Sequence, residues 1–154
     1  MPVYFEDYEI GSIERFGHYP VTREEVIEFA SKYDPQPFHL DDEAAAQNPV
    51  FGRIAASGWH TAAMAMRMLV DHAKEQGHLS MGSPGLDEMR WLKPVYPGDT
   101  LSMEVEVIDK SAPRTRPAIG FVKFRTIVYN QRGEAVMRQV ASNIQPRRTP
   151  GAPA

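Results

Sequence analysis

Trp59 to Val70 reads WHTAAMAMRMLV, apolar on nearly every side for its first three turns if it is helical. Such a helix cannot present a polar face to water, so it must be surrounded by protein. Its charges, Asp71, Lys74 and Glu75, come only at the end, before Gly77. After that point the period changes. Leu101, Met103, Val105 and Val107 alternate with Ser102, Glu104, Glu106 and Ile108, which is the two-residue repeat of a strand. Three further runs read as strands: 86–95, closed by Pro97-Gly98-Asp99; 121–129, closed by the turn Asn130-Gln131-Arg132-Gly133; and 136–144. Four consecutive antiparallel strands cannot bury their inner face alone. The economical solution is an α+β fold in which a curved sheet wraps around the apolar helix.

The first half of the chain supplies shorter elements. Residues 1–12 read as an extended first strand leading into the domain. Thr22-Arg23-Glu24-Glu25 is a capping box, with Thr22 as cap and Glu25 reaching back. Val26, Ile27, Phe29 and Ala30 then give one apolar face, which predicts a helix over about 23–33. Pro35 and Pro37 forbid helix and predict a stiff, extended segment from Asp34 to His39. Asp41 caps a short second helix through Ala44, Ala45 and Ala46 that ends near Asn48-Pro49. The 154 residues, 42 % hydrophobic and 24 % charged, suit one globular domain over 1–145. The tail 146–154, PRRTPGAPA, reads as disordered.

Charge and composition exclude several functions. A net charge of -3 gives no basic footprint for nucleic acid. The absence of cysteine removes disulfides, thiolate metal sites and a cysteine nucleophile. The amino-terminal MPVYFEDYEIG has no basic region before an apolar run, so no signal peptide is expected. The stretch from Thr61 to Val70 is broken by Arg67 and is too short to span a bilayer. A cytoplasmic protein without a membrane partner is expected.

Of the five histidines, His39 stands out by its setting. It follows Asp34 by five residues on a segment with two prolines, and a stiff loop suits a catalytic pair. An aspartate and a histidine together supply base and acid at neutral pH. On spacing alone the plainer reading carries more weight: Asp34 turns the chain after a helix, and His39 is a partly buried polar residue. A metal site at His39-Leu40-Asp41-Asp42 is not expected, because no second histidine sits at helical spacing and the two aspartates better start a helix. Ser57-Gly58 lacks the surrounding pattern of a serine hydrolase. It reads instead as the start of the apolar helix, where free N–H groups and the dipole can stabilise an oxyanion, and where Gly58 lets a ligand approach the backbone. An ordinary cap followed by glycine is the alternative there. His60 reads as a core or interface histidine. Arg114 and Arg116, in the Pro-rich loop, could meet the phosphates of a nucleotide tail but are more simply surface arginines. No nucleotide-binding glycine motif is present, so no cofactor is expected.

Three motifs in order resemble a known family. Asp34-Pro35-Gln36-Pro37-Phe38-His39, followed by Ala44 to Ala46, resembles the D-x-N-P-x-H…A signature of the MaoC-like dehydratases and R-specific enoyl-CoA hydratases. Ala56-Ser57-Gly58-Trp59-His60 resembles the start of that family's central helix, and Pro94 to Leu101 its P-V-x-P-G-D-T-L turn. The resemblance spans about residues 3–145. It implies a hot-dog fold, an antiparallel five-stranded sheet wrapped around a long central helix, in a homodimer or higher even oligomer. It implies syn hydration of a trans-2-enoyl-CoA to a (3R)-hydroxyacyl-CoA, in fatty acid metabolism, on CoA or an acyl carrier. Asp34 and His39 would then activate the water and manage the proton at C2. The Gly58 N–H would bind the thioester oxygen, Ser57 would orient the pair or line the pocket, and CoA would lie in a groove at the dimer interface. Two residues depart from the signature: Gln36 stands in place of the usual Asn and adds a methylene, and Tyr33 stands where Gly is usual and adds bulk beside Asp34. A hot-dog thioesterase and a non-catalytic acyl-CoA or acyl-carrier binding module are the rivals. Against the first, Trp59 to Leu69 carries no acidic residue.

Overall fold

Thr22 stops the chain from entering a helix extended, because its side chain accepts a hydrogen bond from the Glu25 N–H and satisfies one of the free donors of the first turn. The helix it starts, α1 (Arg23–Tyr33), has the bounds its periodicity predicts. The computed structural model describes residues 1–153 and orders the elements as β1 (Ile13–Pro20), α1, α2 (Asp42–Gln47), α3 (Gly58–Gln76), β2 (Gly85–Trp91), β3 (Thr100–Ser111), β4 (Ile119–Tyr129) and β5 (Ala135–Pro146). Short 3-10 turns form at Phe5–Asp7 and Pro37–His39. Asp41 caps α2 by accepting from the Ala44 N–H at 2.8 Å, as its position predicts. Among the described residues no helix is long and apolar enough to cross a membrane.

The five strands form one antiparallel sheet in the order β1-β3-β4-β5-β2. The alternation read along β3 is the alternation of burial. Leu101, Met103, Val105 and Val107 all face inward and are buried. Leu101, Met103 and Val105, with Val26 of α1, Met64 and Met68 of α3 and Met137 of β5, make the main core. A smaller cluster of Phe5, Tyr8, Val107 and Val122 closes one end of the sheet. The hot-dog fold class, a five-stranded sheet with a long helix on its concave face, is the one the resemblance implied.

Four expectations change. The first strand is not residues 1–12 but Ile13–Pro20, an edge strand on which only Phe16 and Tyr19 are even half-buried. A polar edge strand carries little periodic signal. It is also broken by Gly17, which has φ 96° and no room for a side chain, since a Cβ there would lie 2.6 Å from the Met68 sulfur. The capping box is half made. Glu25 does not reach back to Thr22 but accepts from the Tyr19 hydroxyl and from His60 Nε2 at 3.2 Å. The strand read over 86–95 ends at Trp91, because Pro94 and Pro97 cannot continue a ladder. Finally, residues 146–151 are held. β5 runs to Pro146, Arg147 is buried with its N–H on the Ala118 carbonyl, and the Gly151 N–H donates to the Pro117 carbonyl. Ala154 lies outside the described residues.

The central helix is covered on one side only. His60, Thr61, Met64, Ala65 and Met68 are buried, while Trp59, Met66 and Val70 are 60 %, 52 % and 38 % exposed. The helix packs on β1 and β3. Its other flank, with the sheet beyond it, lines an apolar groove of about 880 Å³ whose walls include Met66, Leu69, Val70, Leu86, Met89 and Phe124. The reading that this helix must be surrounded by protein therefore fails within a single chain.

Candidate active site

Asp34 ends α1 with φ -150° and ψ 66°, outside the helical region. Pro35 forces that departure, because a residue before proline is pushed out of the α region. Gln36 is extended, as expected, but Pro37 is not. It opens a 3-10 turn, where its fixed φ suits the first position and its missing N–H costs nothing. The turn closes through the His39 N–H on the Gln36 carbonyl at 3.0 Å and the Leu40 N–H on the Pro37 carbonyl at 3.0 Å. It carries His39 inward, to 4 % exposure, while Asp34 stays partly open to solvent.

The two side chains meet. His39 Nε2 lies 3.3 Å from Asp34 Oδ2. The other ring nitrogen, Nδ1, lies 2.7 Å from the Ala55 carbonyl oxygen. A carbonyl only accepts, so Nδ1 carries a proton and Nε2 is the nitrogen turned to the carboxylate. Ser57, fully buried, donates its hydroxyl to the same Asp34 Oδ2 at 2.7 Å. Gln36 Nε2 donates to Asp34 Oδ1 at 2.6 Å, so its extra methylene still reaches the carboxylate. Tyr33 is 64 % exposed and packs at a tilt beside Phe29, with ring centroids 5.1 Å apart, so its bulk is taken up by that ring and by solvent.

Burial pushes the Asp34 carboxyl up, but the hydrogen bonds from Ser57 and Gln36 and the charge of His39 outweigh it and hold Asp34 below its ordinary value. The group is thus an ionised carboxylate at neutral pH with its lone pairs already aimed.

Ser57 stands at the N-cap of α3 yet makes no capping bond, because its hydroxyl is spent on Asp34. The N–H groups of Gly58, Trp59 and His60 find no acceptor among the described residues. The positive end of a 19-residue helix is therefore uncapped beside the carboxylate–imidazole pair. All five residues singled out in the sequence, Asp34, His39, Gln36, Ser57 and Gly58, come together here. The arrangement brings a carboxylate, an imidazole and free N–H donors together, groups that can move a proton and stabilise a developing negative oxygen.

One participant was not legible. Trp91, at the end of β2, lays its indole against Gly58 and donates its Nε1–H to the Gly58 carbonyl at 2.8 Å. A Cβ at Gly58 would lie 2.5 Å from the Trp91 ring. The glycine thus admits a side chain of the protein itself, rather than serving only the approach of a ligand. The sequence signal available was an indole next to the turn that ends a strand, which is too common to single out. His60 is buried and stacks on Phe29 at 4.7 Å, with Nε2 on Glu25 and Nδ1 unpartnered. Burial lowers its basicity despite Glu25, and it reads as the core histidine its position suggested.

Known proteins share this fold and much of this sequence. The sequence profile described as "MaoC like domain" matches residues 10–126. A MaoC-like dehydratase from Rhodospirillum rubrum is 38 % identical, superposes with a TM-score of 0.83, and is matched over 95 % of this chain and 98 % of its own. An uncharacterized protein of Bacillus subtilis, YdeM, is 30 % identical over 127 residues, 82 % of this chain and 87 % of its own length. A mesaconyl-CoA hydratase from Cereibacter sphaeroides is 46 % identical over 70 residues, which are 46 % of this chain but only 20 % of that enzyme.

Proposed function

Because the chain belongs to the MaoC-like domain family, we propose that it catalyses the reversible hydration of a trans-2-enoyl thioester, CoA-bound, to the (3R)-hydroxyacyl thioester. The observation that carries this is the junction of Asp34, His39 and Ser57 with the uncapped start of α3. In the hydration direction Asp34 takes a proton from water as the water oxygen bonds to C3. The C2=C3 π electrons shift toward the carbonyl, whose oxygen gains charge and is held by the Gly58 N–H. The electrons then return to take a proton at C2 from the acid that now holds it. Oxygen and proton are handled by two groups 3.3 Å apart on one side of the substrate, so addition is syn. His39, fixed by the Ala55 carbonyl, holds the water with Asp34. Ser57 and Gln36 orient the carboxylate. The relatives described above as a dehydratase and a CoA-thioester hydratase support the reading.

Purified protein should consume the ultraviolet absorbance of crotonyl-CoA or a branched enoyl-CoA as the conjugated double bond is lost. Silence across short, long and branched enoyl-CoAs would end the hydratase reading. Thiol release instead would turn it toward a thioesterase. Tight binding with neither reaction would turn it toward a binding module.

The pH dependence has a definite sign. Asp34 is held below the ordinary 3.8, so it stays ionised as pH falls past that value. Its stabilising contacts are fully present above 3.8 and are lost only as pH falls through the lower, folded-state value. The acid limb of kcat/KM therefore lies below the ordinary 3.8 by this group, and Ser57→Ala, which removes a lowering hydrogen bond, moves it upward. A pH–rate profile on the two proteins measures this; an unshifted limb would show that Asp34 does not set it.

The proposal extends to a homodimer. The half-covered α3, with Trp59, Met66 and Val70 exposed, lies near the edge strand β2, where Leu86, Trp91 and Leu92 are also exposed. An open strand edge beside apolar side chains is a surface that a second copy covers. Sedimentation should give about twice the 17.3 kDa chain mass, and Leu86→Glu should shift it toward one copy. A wild-type monomer at micromolar concentration rules the dimer out.

A further inference from the structure

Trp91 reaches the start of α3 from the sheet. Its backbone is fixed in the sheet. It pairs with Met137 of β5, and the next residue, Leu92, donates its N–H to the Val136 carbonyl at 2.8 Å. From that anchor the indole reaches Gly58, lies against its Cα where a Cβ would collide, and donates to its carbonyl. Trp59 meets the same ring edge-on, with centroids 5.3 Å apart and an interplanar angle of 78°.

Two facts separate this contact from ordinary packing. The indole spends its one N–H on a backbone carbonyl, a directed bond that apolar packing does not require. And the atom it holds belongs to the peptide unit that also carries the Trp59 N–H. A carbonyl that accepts a hydrogen bond polarises its own amide, making the N–H of that unit a stronger donor. It also stops the first turn of the helix from fraying, which the missing Ser57 cap would otherwise permit.

We propose that Trp91 is a positioning residue for the oxyanion site. By binding the Gly58 carbonyl it fixes Gly58 in place and polarises the Gly58–Trp59 peptide, so the Gly58 N–H keeps one direction and the Trp59 N–H stands next to it as a strengthened second donor while charge develops on the substrate oxygen. This rests on the hydratase reading for its kinetic consequence, but the ordering of the helix terminus can be measured without turnover.

The test is Trp91→Phe in the full-length protein, which keeps a ring against Gly58 and deletes the N–H. With crotonyl-CoA, kcat should fall about tenfold and KM should stay within about twofold, because the lost interaction acts mainly in the transition state. Hydrogen exchange at the Thr61 amide, which donates to the Ser57 carbonyl at 3.0 Å and so closes the first turn, should quicken, with the melting temperature nearly unchanged. Gly58→Ala in a Trp59→Phe background, where Trp91 is the sole indole, should expel the ring and shift its fluorescence to the red. Unchanged kcat with unchanged amide exchange would overturn the proposal, as would a loss confined to KM. If the wild-type protein hydrates no enoyl-CoA, the hydratase reading fails by itself. The exchange data then decide the rest: faster exchange supports the ordering role, and unchanged exchange overturns it.

Discussion

Asp34→Asn should lower kcat for enoyl-CoA hydration by about 10³-fold or more while leaving the protein folded and thioester binding within a few-fold of wild type. The substitution keeps the size of the side chain. The amide oxygen can still accept from the Ser57 hydroxyl, which donates at 2.7 Å. The same oxygen then lies beside His39 Nε2, and the amide nitrogen takes the place of Oδ1, opposite a Gln36 side chain that can turn over to present its own amide oxygen. What is lost is the proton acceptor. An amide cannot take the proton of water, and no other carboxylate lies in this group of contacts. Steady-state assays with crotonyl-CoA, together with thermal unfolding, read both halves of the expectation. Activity within tenfold of wild type would remove Asp34 from the role of base.

The second large effect is on stability. Leu101→Ala should destabilise the fold by about 2–5 kcal/mol, the range for truncating a leucine in a packed core. Leu101 is fully buried in the cluster that contains Val26 of α1 and Met64 of α3. It also pairs with Tyr19 across the β1–β3 register. The cavity left behind is therefore shared by the sheet, the central helix and the helix that leads to Asp34. A fall in melting temperature of roughly 5–15 °C is expected for a domain of this size. Urea titration should show a lower midpoint with an unchanged slope, since the folded state and the exposed chain stay the same. A shift of less than about 2 °C would mean that the core rearranges to fill the space.

Several elements were legible because their determinants are local. Thr22 with the apolar face of 26–30 marks α1, Asp41 marks α2, and the alternation from Leu101 to Val107 marks the inner face of β3. The approach of Asp34 and His39 was expected from the family resemblance alone, because the extended segment read from the prolines would hold the two apart and it is the 3-10 turn at Pro37 that brings them together. β1 was not legible. Its strand character comes from pairing with β3, and as an edge strand it shows almost no burial pattern. The hold on the carboxyl-terminal residues was hidden for the same reason. Arg147 is buried by partners more than 25 positions away in sequence, among them Ala118 and Glu6.

The residue order by itself determined which side chains could act: a carboxylate and an imidazole on a proline-stiffened turn, and a serine–glycine start to an apolar helix. Short-range sterics and hydrogen-bonding patterns suffice for that, since they act within a few residues. Only the tertiary structure decided that Ser57 turns to Asp34 instead of capping its helix, that Trp91 occupies the space Gly58 leaves, and that α3 is covered on one flank. Those outcomes depend on contacts between residues tens of positions apart, whose geometry is set by how the sheet curves around the helix and carries no local signature.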